Sequence, residues 1–442
     1  MENIVVIGGG AAGMMTAATA AGAGRRVCLL EKNEKLGKKL FITGKGRCNL
    51  TNACETEELL SHVVTNRRFL YSSFYGFSNY DTIEFFERLG MKTKIERGNR
   101  VFPESDHAYD VIDALSRELR RKNVSVRLRT EAAEILTEPL PDAAADDASP
   151  EGGGRGKKKS AKTQTSRAVG VRLKNGGVLS ADAVVVATGG LSYPSTGSTG
   201  DGYRFAGETG HEVTECVPSL VSLTMREAWC GELSGLSLKN VSVRFEDAGG
   251  KQLYEGFGEM LFTHRGVSGP IILTATAECS EALRGAVMYL DLKPALSAEQ
   301  LEQRLLRECE AAKGKQLRGL LGALMPASLA GVLCRQAPAD AGKAVSQLTR
   351  EERAALAAYL KRIPLHVAGL GGFSEAVVTK GGVAVSQISP ATMESRLVKG
   401  LYFVGEVLDL DALTGGFNLQ IAWSTAVACG RDLLKSKTME GK

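Results

Sequence analysis

Residues 3–13 read Asn-Ile-Val-Val-Ile-Gly-Gly-Gly-Ala-Ala-Gly, a short apolar run followed by a glycine-rich turn. The apolar part, Asn3–Ile7, predicts a buried parallel strand. The small residues of Met14–Ala23 predict a helix, and Arg26–Leu30 predicts a second strand that ends at Glu31. This stretch therefore predicts a strand–helix–strand unit and an α/β fold class.

The spacing of Gly8, Gly10 and Gly13 matches the fingerprint of dinucleotide-binding folds. Gly8 makes the tight turn, Gly10 lets the backbone approach a pyrophosphate, and Gly13 lets the helix pack closely on the strand. The helix N-terminus attracts phosphate, and Glu31 can accept hydrogen bonds from a ribose diol. We therefore predict a bound dinucleotide; the alternative is a glycine-rich turn without a ligand.

Later segments favour FAD over NAD. Residues 184–190, Val-Val-Val-Ala-Thr-Gly-Gly, are a strand and small-residue turn typical of flavoproteins with two dinucleotide folds. Residues 401–406 predict a second such strand, and residues 415–420 lead into a helix whose N–H groups can stabilise negative charge on the reduced isoalloxazine. The glycines of 197–202 have the wrong order for a second fingerprint. NAD(P)H is therefore expected only as a transient electron donor.

Composition excludes several classes of protein. The chain has 442 residues, of which 43% are hydrophobic and 24% charged, so it is neither disordered throughout nor a disulfide mini-protein. Its nine cysteines are scattered without a Cys-x-x-Cys pair, which favours a reducing, cytoplasmic location. No apolar run is long enough to span a membrane. The net charge of +5 is mild, and no nucleic-acid partner is expected from it.

Changes in the residue pattern along the chain predict one domain whose sequence is split into two segments. Residues 1–194 and 365–442 form two segments of an FAD-binding domain. Between them, an insert is β-rich over 195–296 and helical over 297–364. The helical part carries leucines at helical spacing, which predicts core packing within the insert. A lipophilic substrate groove is the alternative, and a small-molecule substrate is expected at the junction of the FAD and insert domains.

Residues 139–167 are rich in Pro, Ala, Asp, Gly and Lys and almost lack large apolar residues. Such a segment cannot bury a core, so we predict a disordered insertion in a hairpin loop, with a strand resuming at Ala168–Leu173. The alternative is a basic interaction arm. It would make the protein a nucleic-acid-associated flavoprotein that uses residues 155–167.

Several longer motifs carry a resemblance to one family. They are Leu36–Leu40, Thr43–Asn52, Phe262–Pro270, Thr392–Ser395 and Gly405–Ser424. In these motifs the chain resembles the BaiN / aminoacetone-oxidase-like family of FAD-dependent flavoproteins, over its whole length except 139–167. The resemblance implies a glutathione-reductase-type FAD-binding Rossmann-like domain, interrupted by an inserted β-barrel-like plus helical domain.

The same resemblance implies redox chemistry with bound FAD. Members have been linked to reduction of unsaturated 3-oxo bile acid intermediates and to oxidation of small amines. We therefore expect an FAD-dependent oxidoreductase that reduces an activated C=C of a bile-acid- or steroid-like enone; the alternative is an oxidase of a small amine or amino ketone such as aminoacetone. Ala412 and Phe417 stand where the family leads us to expect glycine and tyrosine. The oligomeric state is not predicted.

The expected cofactor-binding residues come from these motifs and their flanks. They are Gly8, Gly10, Ala11, Ala12, Gly13, Glu31, Lys32, Lys39, Gly44, Arg47, Cys48, Asn49, Ala132, Thr188, Gly189, Gly405, Glu406, Gly416, Phe417, Asn418 and Leu419. For Lys39 and Arg47 the alternative is a solvated face, and for Asn49 it is a turn cap.

Reactive side chains are few. His264, in a glycine-rich loop of the insert, is the catalytic candidate because a histidine can move a proton while the flavin moves a hydride; the alternative is a structural histidine. Cys48 and Cys54 have five residues between them, and this spacing does not favour a redox disulfide. Cys48 is better explained as a packing residue beside the flavin. The other histidines share no metal-ligand spacing, so no metal site is expected.

Overall fold

The computed structural model describes residues 2–22, 24–140, 164–311 and 316–435. Within these residues the strands are β1 (Glu2–Ile7), β2 (Arg25–Leu30), β3 (Thr51–Asn52), β4 (Thr93–Glu96), β5 (Arg100–Pro103), β6 (Ser125–Arg127), β7 (Ala132–Pro139), β8 (Ser166–Leu173), β9 (Val178–Ser180), β10 (Ala183–Val186), β11 (Val217–Ser219), β12 (Leu223–Met225), β13 (Ser237–Glu246), β14 (Gln252–Phe262), β15 (Gly266–Ser268), β16 (Val287–Asp291), β17 (Ile363–Leu370), β18 (Val378–Lys380), β19 (Val398–Lys399) and β20 (Leu401–Phe403). The α-helices are α1 (Ala11–Ala20), α2 (Lys38–Ile42), α3 (Thr56–Ser61), α4 (Tyr71–Gly76), α5 (Asn79–Arg88), α6 (Ala108–Arg121), α7 (Asp201–Glu208), α8 (Trp229–Glu232), α9 (Pro270–Cys279), α10 (Ala298–Ala311), α11 (Leu317–Gly322), α12 (Ala327–Gln336), α13 (Arg350–Lys361) and α14 (Phe417–Lys435).

A five-stranded parallel sheet organises the first of two compact units, in the order β20–β10–β1–β2–β6. Ile4 of β1 lies between Ala183 of β10 and Val27 of β2. All four residues of β10 are buried, as expected for a parallel strand covered on both faces. The predicted strand–helix–strand unit is confirmed. Because the sheet is parallel, the carboxyl ends of β1, β10 and β20 meet at one edge.

Helices α1 and α14 pack against each other in the same unit. A Cβ placed on Gly430 of α14 would lie 2.5 Å from Thr19 Cβ of α1, so glycine is needed for this approach. The sequence predicts a final helix over Gln420–Leu434, but α14 already begins at Phe417, directly after Gly415 and Gly416. The difference places these two glycines at the first turn of α14.

The predicted hairpin around residues 139–167 is present, since β7 and β8 pair with Pro139 opposite Ser166. The two ends of that segment therefore belong to strands. The remainder, 141–163, lies outside the described residues, and the predicted disorder falls there. The apolar alternation of Val383–Ile388 predicts a strand, but the segment instead contains a 3-10 turn at Val385–Gln387.

The second unit, Ser219–Ala376, contains a closed barrel of six strands in the order β12–β15–β14–β13–β16–β17. The motif at 262–270 forms part of its wall. A Cβ on Gly266 would lie 2.2 Å from Leu223 O, so the barrel strands approach too closely there for a side chain. The predicted β-barrel-like character of the insert is confirmed.

Four helices, α10 to α13, follow β16 in this second unit. Most of the leucines that predicted a helical core are buried, namely Leu301, Leu305, Leu317, Leu320, Leu321 and Leu324. Leu306 is half-buried. The interpretation as core packing therefore holds for this set.

The boundaries of the two units lie later in the chain than 195 and 364. The first unit runs to Pro218 and resumes at Val377. Helix α7 belongs to it because a Cβ on Gly202 would lie 2.2 Å from Thr188 Oγ1. Strand β17 belongs to the second unit because it closes the barrel between β12 and β16. No described helix has the length and apolar character needed to cross a bilayer.

Candidate functional site

The glycine-rich turn lies between β1 and α1. Gly8 has φ +107°, and a Cβ on Gly13 would lie 1.8 Å from Gly8 O, so both positions require glycine. A Cβ on Gly10, by contrast, would meet nothing within 4 Å. Gly10 is the N-cap of α1, and no side chain caps this helix. The first turn of α1, with Ala11 and Ala12, therefore presents its N-terminus beside open space.

Glu31, at the end of β2, is buried and fixed by the same turn. Its Oε2 accepts from Gly9 N at 2.8 Å, and its Oε1 accepts from Asn33 N at 2.8 Å and Asn33 Nδ2 at 2.7 Å. These contacts orient the carboxylate toward the turn, where the sequence predicted a ribose contact. The Lys32 side chain pairs with the start of α7, where its Nζ lies 2.5 Å from Asp201 Oδ2.

Lys39 and Glu406 bring the two chain segments of the first unit together. Lys39 Nζ lies 2.8 and 2.7 Å from the two carboxylate oxygens of Glu406, and it also donates to Ser192 Oγ at 2.6 Å. Thr379 N donates to Glu406 Oε1 at 3.0 Å. Gly189 lies beside this cluster, with its ideal Cβ 3.8 Å from Glu406 Oε2. The cluster fixes both charged groups at the edge where the strands end.

Arg47 is engaged by protein groups. Its guanidinium forms ion pairs with Glu96 and Asp106 and lies over the ring of Phe102, 4.1 Å from the ring centroid. Hydrogen bonds from Lys94 and then Arg47 hold the pKa of Asp106 below its usual range. Side chains of the first unit thus hold Arg47, and its predicted contact with phosphate or flavin stays a prediction.

Cys48 and Asn49 lie in the loop that follows Gly44. Cys48 is fully buried, and burial raises the pKa of its thiol to about 12. Cys54 is also buried, and all nine cysteines are free thiols, so the pair forms no disulfide. Asn49 Oδ1 is buried, and no described residue donates a hydrogen bond to it. A buried acceptor of this kind requires a donor, which a ligand can supply.

Thr188 and Ala132 occupy the predicted flank of the site. Thr188 follows β10, and its Oγ1 is buried without a hydrogen bond from any described residue. Ala132 is buried at the start of β7, opposite Leu173. Gly405 follows β20 with φ +74°, and its ideal Cβ lies 2.8 Å from Ala12 Cβ. The turns after β1, β10 and β20 therefore lie at one edge of the sheet.

The first turn of α14 is held tightly against β3. A Cβ on Gly416 would lie 2.4 Å from Thr51 O. Asn418 fixes the preceding loop, because its Oδ1 accepts from Ala412 N at 2.9 Å and its Nδ2 donates to Ala412 O at 2.7 Å. Phe417 is buried, and Leu419 is partly buried. The helix terminus that was predicted to face the flavin is thus rigid.

Sequence reasoning missed two groups at this terminus. His62 stacks on the ring of Phe417, with centroids 4.2 Å apart. Gln420 is buried and accepts from Thr51 Oγ1 at 2.6 Å and Thr82 Oγ1 at 3.0 Å. Their partners are far apart in sequence, so no local pattern indicated these contacts. His264 lies in the second unit, exposed in the turn between β14 and β15.

The residues of the first unit fit a bound FAD. Open space at Gly10, the uncapped start of α1 and the oriented carboxylate of Glu31 suit the pyrophosphate and ribose. The buried Asn49 Oδ1 suits a ring N–H. No group of three or more His, Cys, Asp or Glu among the described residues is arranged to hold a metal ion.

Comparison with known proteins gives matches over nearly the full chain. The family model for the HI0933-like protein Rossmann domain matches residues 2–432. A ribosomal RNA dihydrouridine synthase of Escherichia coli (strain K12) is 31% identical over 434 residues, covering 98% of each chain. A 3-dehydro-bile acid delta(4,6)-reductase of Clostridium scindens is 31% identical over 439 residues, again covering 98% of each.

Among solved structures, a 3-ketosteroid delta1-dehydrogenase from Sterolibacterium denitrificans, in complex with 1,4-androstadiene-3,17-dione, has the same fold. It covers 99% of this chain and 100% of its own, with a TM-score of 0.53 and 14% identity. The fold class expected from the sequence is therefore confirmed. The family match and the two relatives together show that the chain belongs to the HI0933-like family of FAD-dependent Rossmann oxidoreductases.

Proposed function

We propose that this protein reduces a carbon–carbon double bond conjugated to a carbonyl group. The observation that carries the proposal is the pair of relatives, each 31% identical over 98% of both chains. The name of one describes a reductase of a 3-oxo bile acid with delta-4,6 unsaturation. The name of the other describes a synthase of dihydrouridine, and uridine has a C5=C6 bond conjugated to its C4 carbonyl. In both substrates conjugation to a carbonyl activates the β-carbon toward hydride, and in a 4,6-diene it also activates the δ-carbon.

When bound, FAD supplies the two-electron hydride chemistry. The chain would hold it through the cradle described above. The start of α1 at Gly10 would hold the pyrophosphate, and Glu31 would accept from a ribose hydroxyl. The pair of Lys39 and Glu406 would contact the ribityl and phosphate groups, and Asn49 Oδ1 would accept from the flavin ring.

The first turn of α14 is expected to act on the charge of the reduced flavin. The N-terminus of a helix carries partial positive charge, so it stabilises an anion placed before it. Gly416 allows this terminus to lie against Thr51, and Asn418 fixes the loop in front of it. We infer that the backbone at Phe417 and Leu419 would hold the pyrimidine end of a bound flavin and would stabilise negative charge there when the flavin is reduced.

For the substrate, we propose a bile-acid- or steroid-like 3-oxo enone. A second candidate is uridine in ribosomal RNA, because two relatives carry that activity in their names, the second from Haemophilus influenzae at 30% identity. For this candidate the basic segment 155–167, of which 155–163 lie outside the described residues, is the place to test for RNA contact. Deleting 155–163, which leaves β8 in place, should weaken salt-dependent RNA binding if RNA is the substrate.

An anaerobic reaction distinguishes these substrates. FAD-loaded protein is reduced with dithionite and mixed with a 3-oxo-4,6-diene bile acid, with unmodified ribosomal RNA, or with buffer. Return of the flavin absorbance at about 450 nm identifies the hydride acceptor. Return with the bile acid supports the first substrate, and return with RNA alone supports the second. Return with neither, against a stable buffer control, contradicts reduction of conjugated double bonds.

Two further mixtures test NAD(P)H as the electron donor and the alternative of an amine oxidase. Rapid bleaching of oxidised protein by NADPH or NADH would support NAD(P)H as the electron donor. Bleaching by aminoacetone, followed by release of peroxide in air, would favour the oxidase alternative. Each reaction uses the same flavin absorbance, so their rates can be compared directly.

A further inference from the structure

His62 and Phe417 form a face-to-face ring stack at the first turn of α14. Their centroids are 4.2 Å apart, and their planes differ by 12°. Phe417 is only 3% exposed, whereas His62 is half-buried. The imidazole therefore covers the outer face of the residue that opens the helix.

Hydrogen bonding fixes the tautomer of His62. Its Nδ1 lies 2.7 Å from Glu58 O, and a carbonyl oxygen can only accept. Nδ1 therefore carries a hydrogen. In the neutral ring Nε2 has a free lone pair, and in the protonated ring it carries a second N–H. Among the described residues none hydrogen-bonds to Nε2, so this nitrogen can exchange a proton with a ligand.

The backbone around His62 is tied to the loop that precedes α14. Leu413 N donates to His62 O at 3.0 Å, and Val63 forms a β-bridge with Ala412. Asn418, on α14, hydrogen-bonds both backbone groups of Ala412. The imidazole and the helix terminus are thus parts of one rigid arrangement.

We propose that His62 is the proton donor of the reduction proposed above, and the inference rests on that proposed function. Phe417 stands where a tyrosine is expected, so this chain lacks a phenol hydroxyl there. The imidazole stacked on the face of Phe417 supplies an N–H beside this ring. His62 is also the histidine whose ring contacts Phe417 at the first turn of α14.

The step balances as a two-electron reduction. The β-carbon of the substrate gains a C–H bond with the electron pair from reduced FAD, which becomes oxidised. The π electrons move toward the carbonyl, and the α-carbon takes the proton of His62 Nε2–H, whose N–H bond breaks. The neutral imidazole then regains a proton from water. The electron donor that reduces FAD beforehand is NAD(P)H or, in the test, dithionite.

The position of His62 can be tested without turnover. In protein labelled with 15N-histidine, the Nε2 resonance of His62 should shift when FAD is added to the FAD-free protein. The signal is identified by its loss in His62→Phe. His107, which is exposed at the start of α6, should not shift and serves as the control. FAD binding without a shift of the His62 signal would overturn the proposal.

The role is tested in the anaerobic assay with the conjugated carbonyl that reacts with the native protein. His62→Phe keeps the ring stack but removes the acid, and it should slow the return of flavin absorbance by about 10²-fold. Adding Phe417→Tyr to this variant returns a hydroxyl and should recover about tenfold, which restored packing alone would not do. His107→Gln should match the native rate.

FAD content is measured first, and His62→Gln replaces His62→Phe if the latter does not fold. An unchanged rate in a folded, FAD-loaded His62 variant overturns the assignment of His62 while the proposed function stands. If the native protein reduces no double bond conjugated to a carbonyl, the proposed function and the assignment of His62 both fail. The two failures are therefore distinct.

Discussion

Nε2 of His211 lies 2.7 Å from Ser395 Oγ in the interior of the first unit. Ser395 Oγ accepts from Leu397 N and Val398 N, so its hydrogen is available for His211. On the other side of the ring, Nδ1 lies 3.0 Å from Thr209 Oγ1. Burial lowers the pKa of His211 to about 4. The ring is therefore neutral in the folded protein, and Ser395 of the motif at 392–395 has a structural role.

The first prediction is that acid destabilises the first unit through His211. Its folded pKa of about 4 lies below the ordinary value of 6.5, so the unfolded chain takes up the proton first as pH falls. The stabilising contribution is complete above pH 6.5 and is lost progressively toward pH 4. Between pH 8 and pH 5 the loss should be about 2 kcal/mol in the free energy of unfolding, measured in urea.

His211→Gln provides the comparison. It should be less stable than the native protein at pH 8 but should lose less stability on acidification. Burial raises the pKa values of Glu394 and Asp409, so these carboxyls favour the folded state at low pH and act in the opposite direction. Equal pH dependence in the native protein and in His211→Gln would assign the effect to other groups.

The fold was largely predictable where local signals agree with tertiary structure. The run at Asn3–Ile7 and the glycines after it predicted β1 and α1, because a buried parallel strand and a tight turn leave clear local patterns. The boundaries of the second unit were less predictable. They depend on α7 packing against Thr188 and on β17 closing the barrel, and both contacts join distant parts of the chain.

In the candidate site, too, the sequence predicted local requirements but not contacts between distant segments. Gly8 and Gly13 were found because their backbone requirements are local. The partners of Arg47 are Glu96 and Asp106, which the loop sequence alone does not indicate. The stack of His62 on Phe417 likewise joins two distant segments, so a histidine without ligand spacing gave no signal in the sequence.

The second prediction separates folding from cofactor binding at the glycine-rich turn. Gly10 has φ −84° and open space at its Cβ position, so Gly10→Ala should fold with stability within about 1 kcal/mol of the native protein. Its methyl group would occupy the space expected for the pyrophosphate, so FAD should bind at least about tenfold more weakly, a cost of ~1.4 kcal/mol. FAD titration followed by flavin fluorescence measures this change.

Gly13→Ala is the matched variant with the opposite result. Its Cβ would lie 1.8 Å from Gly8 O, a backbone atom that cannot move without displacing β1. This variant should lose stability by several kcal/mol or fail to fold, as overpacked or strained cores do. Native-like FAD affinity in Gly10→Ala would refute the placement of the pyrophosphate beside Gly10.

The third prediction concerns the pair of Lys39 and Glu406. Lys39→Met removes the cation that contacts both oxygens of Glu406, so the carboxylate loses its orientation and one of its donors. FAD should bind about tenfold more weakly, which corresponds to ~1.4 kcal/mol. Lys35→Met is the control, because Lys35 is exposed and its Nζ lies over the ring of Phe41, 5.6 Å from the ring centroid. Equal affinities in the two variants would exclude a specific role for Lys39.

The fourth prediction is that the thiols of Cys48 and Cys54 take no part in electron transfer. Burial raises their pKa values to about 12 and about 11, and the thiolate is the reactive form, so both should resist iodoacetamide in the folded protein.

An enzyme with a redox disulfide accepts more electrons than its flavin alone. Anaerobic titration with dithionite should therefore require about two electrons per FAD, the capacity of the flavin itself. The double variant Cys48→Ala/Cys54→Ala should give the same value. Uptake of about four electrons by the native protein, falling to two in the double variant, would instead establish a dithiol couple beside the flavin.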